Sequence, residues 1–171
     1  MKIIKQPNNI KFGLGAAKDF RYPEKSLVIT SKGASSRGWL NYTNLEKQKC
    51  FHDVEPNPSL DTAKKIILDF KNANIECVIG LGGGSSLDVA KFVGHKLGKK
   101  KILIPTTFGS GSEVTRIAVL TVKGKKTSFH DDEMFADTAI VDPYFIKNSP
   151  IEVIKNSAID ACAQCTEGYD S

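Results

Sequence analysis

The sequence has few of the residues from which disulfide frameworks, histidine-rich metal sites and membrane spans are built. Its 171 residues include four cysteines and three histidines. No apolar run approaches the roughly 20 residues that a helix needs to cross a bilayer. Residues 1–9 are charged and lack the apolar centre of a signal peptide. A chain of this length buries a core without disulfides, so we expect reduced thiols in a cytoplasmic protein with no membrane partner.

What the sequence does have is an excess of lysine, which contributes to a formal net charge of +5. Lysines cluster at residues 99–101 and 123–126, and such clusters attract either nucleic acid or the phosphates of a small ligand. No aromatic residues interleave with them, as a stacking platform for bases requires. We therefore favour a solvated lysine-rich face and expect no nucleic-acid partner, with a basic nucleic-acid-associated protein as the remaining alternative.

Short apolar runs alternate with helical periodicity through the first two thirds of the chain. Buried strands are predicted at residues 26–30, 77–81 and 101–105. Apolar spacing of three and four residues predicts helices over residues 61–72, with Ser59 as N-cap, and over 86–97. Strands that alternate with helices predict an α/β protein whose parallel sheet is covered on both sides.

The pattern changes in the last third of the chain. Residues 117–122 and 138–141 are predicted to be extended, with a hairpin turn in residues 123–126. The chain then becomes helical. We predict one domain over residues 1–149 and the beginning of a second, helical domain over residues 150–171.

A triple glycine stands between the second predicted strand and the helix that follows it. Glycine lacks a Cβ, so its backbone can approach a phosphate closely. The N–H groups and the dipole of a helix N-terminus also favour an anion. Ser85 adds a hydroxyl, and Asp88 lies one helical turn further on. Residues 82–88 match neither the Rossmann fingerprint nor the P-loop, so the pattern alone indicates either a phosphate site or a tight turn.

A second polar loop, rich in hydroxyls and glycine, follows the next predicted strand at residues 105–115. The carboxyl ends of parallel strands meet at one edge of the sheet, where open α/β sheets bind their ligands. We therefore expect the two loops to lie together and to form a nucleotide site. The alternative is a pair of ordinary loops.

Longer motifs resemble one family. Residues 82–91 (GGGSSLDVAK) and 104–115 (IPTTFGSGSEVT) are similar to the GGGSxxDxAK and IPTTxGTGSEVT segments of iron-containing (group III, metal-dependent) alcohol dehydrogenases. Residues 12–15 (FGLG), 55–58 (EPNP) and 141–143 (VDP) stand in the family's order and spacing. The resemblance implies a Rossmann-like dinucleotide-binding domain, followed by the start of an all-helical domain that is otherwise absent.

The resemblance also implies an activity and a set of contacts. The reaction is reversible hydride transfer between NAD or NADP and a small alcohol, aldehyde or ketone, assisted by a divalent iron or zinc ion. No catalytic residue is assigned, and a homodimer is left open. The implied cofactor contacts are Ser31, Asn57, Gly83, Gly84, Ser85, Asp88, Thr106, Thr107, Ser110, Thr115 and Lys126.

One departure from the family pattern concerns the cofactor. The family often has an aspartate after the strand that corresponds to residues 26–30, where it binds the adenosine ribose. This chain has Ser31 followed by Lys32. A carboxylate repels a 2′-phosphate, whereas a hydroxyl with a lysine accepts one, so we favour NADP slightly over NAD. The alternative is that Lys32 points to solvent.

A second departure concerns the metal. Residues 158–167 (AIDACAQCTE) resemble the family's MDALTHAIE segment, which places Asp160 on the first metal ligand. Gln164 stands where a histidine is usual, on the same helix face. An amide oxygen is a poorer ligand for iron or zinc than imidazole, so we expect weaker metal binding. Cys162 and Cys165 flank Gln164, and we expect small buried thiols rather than a redox or zinc motif.

The family's other metal ligands are histidines of the later helical domain. The three histidines of this chain, His52, His95 and His130, show no chelating spacing, and we expect them to be structural or exposed. We therefore expect an amino-terminal piece of a metal-dependent alcohol dehydrogenase with little activity of its own. The alternatives are a non-catalytic dinucleotide-binding module, or half of a split enzyme whose second polypeptide supplies the helical domain.

Overall fold

The computed structural model describes residues 5–170 of the chain. In chain order its strands are β1 (Asn9–Phe12), β2 (Ser26–Thr30), β3 (Lys49–Phe51), β4 (Cys77–Gly82), β5 (Lys100–Pro105), β6 (Ile117–Val122), β7 (Lys125–His130) and β8 (Thr138–Val141). Its helices are α1 (Lys32–Ser36), α2 (Trp39–Tyr42), α3 (Leu60–Phe70), α4 (Gly84–Lys96), α5 (Pro143–Lys147) and α6 (Ile151–Asp170). Two short 3₁₀ turns span Ser112–Val114 and Asp132–Met134.

Six strands form one sheet of order β1-β8-β5-β4-β2-β3, and every pair in it is parallel. The middle strands β2, β4 and β5 are buried along nearly their whole length. Strands covered on both faces are apolar at every position rather than at alternate ones. This is why continuous apolar runs predicted these three strands to within one residue. The predicted α/β fold with a Rossmann-like parallel sheet is confirmed.

Two apolar layers cover the sheet. On one face α3 and α4 pack through residues such as Ile66, Leu87 and Val93. On the other face Trp39 and Phe145 pack with the opposite side chains of the strands. The Ser59 hydroxyl accepts the Thr62 N–H and caps α3 as predicted. α4 begins at Gly84, two residues before its predicted start, because the glycine loop itself supplies the first helical turn.

The path of the chain creates a crevice between two neighbouring strands. From β2 the chain moves outward through α1 and α2 to the edge strand β3. It then returns through α3 to β4, on the opposite side of β2. Connections that diverge in this way leave a gap above the carboxyl ends of the two strands, which is where open α/β sheets bind ligands.

The predicted hairpin turn is confirmed at residues 123–124, whereas Lys125 and Lys126 lie in β7, a strand that was not predicted. The hairpin covers the outer side of α4. β6 and β7 pair antiparallel, with Ile117 opposite His130 and Val122 opposite Lys125. Phe129 of β7 meets Phe92 of α4 edge to face, with ring centroids 5.0 Å apart. α4 is therefore enclosed between the sheet and the hairpin, which explains why even the polar residues Ser86 and Lys91 are buried.

α6 is covered only along its first half. Ser157 is buried, whereas every residue from 162 to 169 is exposed. Cys162 and Cys165 are thus exposed, and the prediction that they are buried thiols is wrong. The reason is that helical periodicity does not show which face of a helix is covered. A domain boundary near residue 150 stays a prediction. Among the described residues, no helix is long and apolar enough to cross a membrane.

Candidate functional site

The crevice above β2 and β4 holds a cavity of about 690 Å³. Its floor is the glycine loop at the start of α4, and its far end is the segment after β2. The lining residues are Ser31, Lys32, Gly33, Arg37, Asp53, Val54, Glu55, Pro56, Gly83, Gly84, Ser85, Ser86, Thr107 and Val153. Five of the residues predicted from the sequence to contact the cofactor line this one cavity: Ser31, Gly83, Gly84, Ser85 and Thr107.

The N-terminus of α4 opens into this cavity without a side-chain cap. Gly83 is the N-cap residue, and no side chain accepts a hydrogen bond from the first turn. Gly82 has φ of 153°, and a Cβ there would lie 2.7 Å from the Ser86 hydroxyl oxygen. Only glycine fits at that turn. A helix N-terminus with free N–H groups and the positive end of its dipole is suited to bind an anion.

The second polar loop lies against the first, as the sequence predicts. The Thr106 N–H donates to the Gly82 carbonyl at 2.9 Å. A Cβ at Gly83 would lie 3.3 Å from the Thr107 hydroxyl, and one at Gly84 would lie 3.2 Å from the Ser110 hydroxyl. The close approach of the two loops therefore depends on glycine in the first. Thr106 itself is buried, so its hydroxyl does not line the cavity.

A smaller cavity of about 180 Å³ lies on the hairpin side of the same helix N-terminus. Asn57, Ser85, Asp88 and Lys126 are among the residues that line it. The Asn57 backbone has a positive φ of 52°, and its carbonyl accepts the Thr121 hydroxyl at 3.0 Å. The loop before α3 is thereby tied to β6. The structure brings Asn57 and Lys126 to the site from distant parts of the chain.

Asp88 holds the second loop and the hairpin to α4. Its carboxylate accepts the Ser112 hydroxyl at 2.6 Å and the Val119 N–H at 3.0 Å. It also lies 3.1 Å from the Lys91 ammonium. The side chain is only 13% exposed, so these partners take up most of its hydrogen-bonding capacity. A contact between Asp88 and a ribose stays a prediction.

Lys91 is fully buried and was not among the predicted site residues. Besides the Asp88 carboxylate, its ammonium contacts the Thr115 hydroxyl and the Ile117 carbonyl. Burial lowers the pKa of Lys91, an effect that Asp88 partly offsets. Burial raises the pKa of the neighbouring Glu113. Thr115 faces this network and lines neither of the two cavities described above. The available signal was a lysine three residues after an aspartate, within an otherwise apolar stretch over residues 87–93.

The segment after β2 carries two cations. The Ser31 hydroxyl accepts the Ala34 N–H and caps α1. Lys32 is 85% exposed and pairs with Asp53 at 3.4 Å. Arg37 also lines the cavity, with its guanidinium 5.1 Å from the centre of the Trp39 ring. Sequence reasoning missed Arg37, because nothing in the pattern of the two short helices shows which side chain turns back toward the strand end.

A third cavity of about 230 Å³ lies between the second loop and α6. Thr107, Glu113 and Gln164 are among the residues that line it. Asp160 packs on Gly109, where an added Cβ would lie 2.6 Å from a carboxylate oxygen of Asp160. The resemblance places Asp160 and Gln164 on the metal, but together they offer only two oxygen ligands. Zinc usually takes four ligands, and the described residues bring no cluster of three His, Cys, Asp or Glu ligands to this place. These residues alone do not form the metal site.

Asp142 explains the Val-Asp-Pro motif without a ligand. Its buried carboxylate accepts the N–H groups of Gly15, Ala17 and Tyr144, and the hydroxyl of Tyr42. Burial, together with this carboxylate, raises the pKa of Tyr42 to about 12. The motif therefore joins the loop after β1 to the start of α5.

Comparison with known proteins shows the family to which this chain belongs. The family model described as iron-containing alcohol dehydrogenase matches residues 7–143. The chain is 37% identical over 142 residues to long-chain-alcohol dehydrogenase 1 of Geobacillus thermodenitrificans, covering 71% of this chain and 36% of that protein. It is 33% identical over 129 residues to a 1-propanol dehydrogenase of Citrobacter freundii, covering 71% and 35% respectively.

Two solved structures share the fold. An iron-containing alcohol dehydrogenase from Thermotoga maritima has a TM-score of 0.88 and 28% identity, covering 99% of this chain and 55% of that one. A sulfoacetaldehyde reductase from Bifidobacterium kashiwanohense in complex with NAD⁺ has a TM-score of 0.80 and 26% identity, covering 90% and 49%. The chain thus spans about a third of the first relatives and about half of these solved chains. Because the family model matches most of its residues, the chain belongs to the iron-containing alcohol dehydrogenase family.

Proposed function

We propose that the chain binds NAD(P) in the crevice above β2 and β4, and that the whole protein interconverts an alcohol and an aldehyde or ketone by hydride transfer. The observation that carries this proposal is the uncapped N-terminus of α4, which opens into the middle of the crevice between two polar loops. The relatives named above are alcohol dehydrogenases or reductases, and one of them is in complex with NAD⁺.

The cofactor would lie across the carboxyl ends of three neighbouring strands. Its pyrophosphate would accept hydrogen bonds from the backbone N–H groups of Gly83, Gly84 and Ser85, where the helix dipole favours negative charge. The adenosine would extend toward Ser31 at the end of β2. The nicotinamide would extend toward Thr107 and the cavity beside α6. No step of this proposal runs through a metal, since the described residues do not complete a metal site.

Ser85 offers a sharp test, because it lines both the larger and the smaller cavity. A glutamate in the first turn of a helix favours folding through the dipole, yet its charge repels a pyrophosphate. We expect Ser85→Glu to weaken NADPH binding at least about tenfold without lowering stability. The matched variant Ser85→Gln has nearly the same shape without the charge, and we expect it to lose much less affinity. Equal losses in the two variants would count against an anion at this place.

We further propose that the site accepts NADP at least as well as NAD. No carboxylate follows β2 directly, and Lys32 and Arg37 both line the adenosine end of the cavity. A guanidinium binds phosphate through paired hydrogen bonds. We expect Arg37→Gln to lower NADPH affinity about tenfold and to leave NADH affinity nearly unchanged. A similar loss for both cofactors would show that Arg37 does not select the 2′-phosphate.

We also propose that two copies of the chain associate through β1. β1 is an edge strand of the sheet, and it carries exposed apolar side chains at Ile10 and Phe12, with Leu14 just beyond it. Exposed apolar edges favour pairing with a second chain. We expect the wild type to be a dimer by light scattering and Phe12→Asp to be a monomer. Leu68→Asp, which changes a similarly exposed residue on α3, is the control and should stay dimeric.

An activity assay distinguishes a working enzyme from the alternative, a non-catalytic dinucleotide-binding module. With added metal and a panel of short alcohols, a working enzyme reduces NADP⁺ and increases the absorbance of NADPH. A chain that binds NADPH tightly and shows no turnover would favour the binding module, or a partner polypeptide that supplies the remaining ligands. Turnover that survives Ser85→Glu unchanged would contradict the proposed cofactor site.

A further inference from the structure

A second group of ligand-type side chains lies at the opposite end of α4 from the nucleotide crevice. It consists of His95 in the last turn of α4, Asp131 just after β7 and Glu133 in the following 3₁₀ turn. One ligand atom from each residue lies within 4.8 Å of the others, and no other such group of three occurs among residues 5–170. The histidine is far in sequence from its partners, so spacing along the chain gave no sign of the group.

The imidazole of His95 is unusual because it is enclosed and only partly satisfied. The ring is 14% exposed, and its Nδ1 atom is buried without a hydrogen-bond partner among the described residues. Nδ1 lies 3.4 Å from the Glu133 carboxylate, and Nε2 lies 3.8 Å from the Asp131 carboxylate. Neither contact has hydrogen-bond geometry. One cation binds only one nitrogen of an imidazole ring, and Nδ1, which is buried beside the Glu133 carboxylate without bonding to it, is the nitrogen placed to share a cation with that carboxylate.

The carboxylates are oriented toward this ring. One oxygen of Asp131 accepts the Glu133 N–H at 2.8 Å, which caps the 3₁₀ turn, and the other oxygen lies nearest His95. Such secondary hydrogen bonds orient metal ligands. The intervening Asp132 points elsewhere, because its carboxylate pairs with Lys5 and Arg116. Glu133 already lies 3.4 Å from Nδ1, whereas the Asp131 oxygen, which is nearest Nε2, must turn toward Nδ1 when zinc binds.

The charges around the group act in both directions, because Lys99 and Lys100 line the same cavity as His95 and Glu133 and oppose a cation, whereas the end of α4 favours one. α4 ends at Lys96, and the carbonyl end of a helix carries partial negative charge. Ligands about 2 Å from zinc stand roughly 3.3 Å apart, close to the separation of His95 Nδ1 and the Glu133 oxygen. One imidazole with two carboxylates is a ligand set that suits Zn²⁺, with water in the remaining position.

We propose that His95, Asp131 and Glu133 form a zinc site separate from the family's metal cleft. Bound zinc would fasten the end of α4 to the segment after β7. The site would stabilise the packing of the hairpin on the nucleotide-binding core rather than take part in hydride transfer. Zinc bound at 100 times its dissociation constant should raise the melting temperature by about 5–10 °C.

The test is a zinc titration of the purified chain by calorimetry and thermal melting. The background carries Asp160→Asn, Cys162→Ser and Cys165→Ser, so that zinc cannot bind through the exposed ligands of α6. We expect one zinc per chain. His95→Ala and Glu133→Gln should each weaken binding at least about tenfold. Asp132→Asn, which changes the carboxylate between the two ligands, is the matched control and should bind zinc as the background does.

Two results would overturn the proposal. One is the absence of saturable binding below about 1 mM zinc. The other is binding that Glu133→Gln leaves unchanged, since Glu133 is exposed and its replacement does not disturb folding. Nitrogen NMR of the imidazole adds a direct readout. Zinc should shift one ring nitrogen of His95 and leave His130 unaffected.

Discussion

At the scale of single residues, the four cysteines divide into two pairs. Cys77 is buried and Cys50 is partly buried, and burial raises the pKa of each thiol to about 12. Cys162 and Cys165 are exposed on α6. The reactive species is the thiolate. Burial and the raised pKa therefore both protect Cys50 and Cys77 from thiol reagents.

We therefore expect two thiols of the folded chain to react with an aromatic disulfide reagent at pH 8 and the other two to react only on unfolding. Mass spectrometry of the modified peptides identifies the pair. Rapid labelling of Cys77 would contradict the packing of β4 described above. Replacement of both α6 cysteines by serine should abolish the fast phase.

The raised pKa of Cys77 also predicts how stability depends on pH. Between pH 9 and pH 12 the unfolded chain releases a thiol proton that the folded chain retains. The folded state therefore loses stability as pH rises through this range, and this contribution is fully present below pH 9. We expect the unfolding free energy of Cys77→Ala, measured with urea, to fall less steeply with pH over this range than that of the wild type.

Lys91 is the residue whose loss should cost the most stability. Its ammonium is fully buried beside Asp88, and removal of one partner leaves the other charge buried without compensation. We expect Lys91→Met to lower the free energy of unfolding by about 3–5 kcal/mol. Lys64→Met breaks an exposed pair at the same helical spacing and should cost less than about 0.5 kcal/mol. If both variants lost the same free energy of unfolding, the buried Lys91–Asp88 pair would contribute no more to stability than an exposed pair.

At the scale of elements, the β6–β7 hairpin has a turn whose sequence is not the best for its shape. Lys123 has φ of 49° and Gly124 has φ of 79°. Two successive positive φ values define a type I′ turn, for which Asn-Gly is preferred over Lys-Gly.

We expect Lys123→Asn to raise the free energy of unfolding by about 0.5–1 kcal/mol, because asparagine tolerates the left-handed region better than lysine. Urea unfolding measures the change. A loss of stability would mean that the Lys123 side chain makes a contact that outweighs the backbone preference.

The elements also differ in how far the sequence could predict them. The middle strands and α3 could be predicted because burial on both faces, or on one helical stripe, leaves a periodic apolar pattern. The edge strands β1 and β3 leave none, since every residue of β1 is exposed and β3 has no fully buried position. The exposure of Cys162 could not be predicted for a related reason. Which face of α6 is buried depends on the elements that pack against it, and the sequence of the helix does not show them.

At the scale of the whole molecule, the location of the site follows from the parallel arrangement of three neighbouring strands. The glycine loop, the second polar loop and the segment after β2 meet because β2, β4 and β5 are parallel neighbours. Sequence reasoning could place these loops together from that rule alone. It could not find Arg37 or the Lys91 network, because both depend on side-chain directions set by tertiary packing.

The central claim is that the crevice at the N-terminus of α4 binds a nicotinamide dinucleotide. The most direct measurement is a fluorescence titration of the purified chain with NADPH and, separately, with NADH. We predict saturable binding below about 1 mM, with NADPH bound at least as tightly as NADH and with affinity that falls as salt increases. If neither cofactor saturates the chain below that concentration, the crevice is not a cofactor site in this chain and the account is wrong.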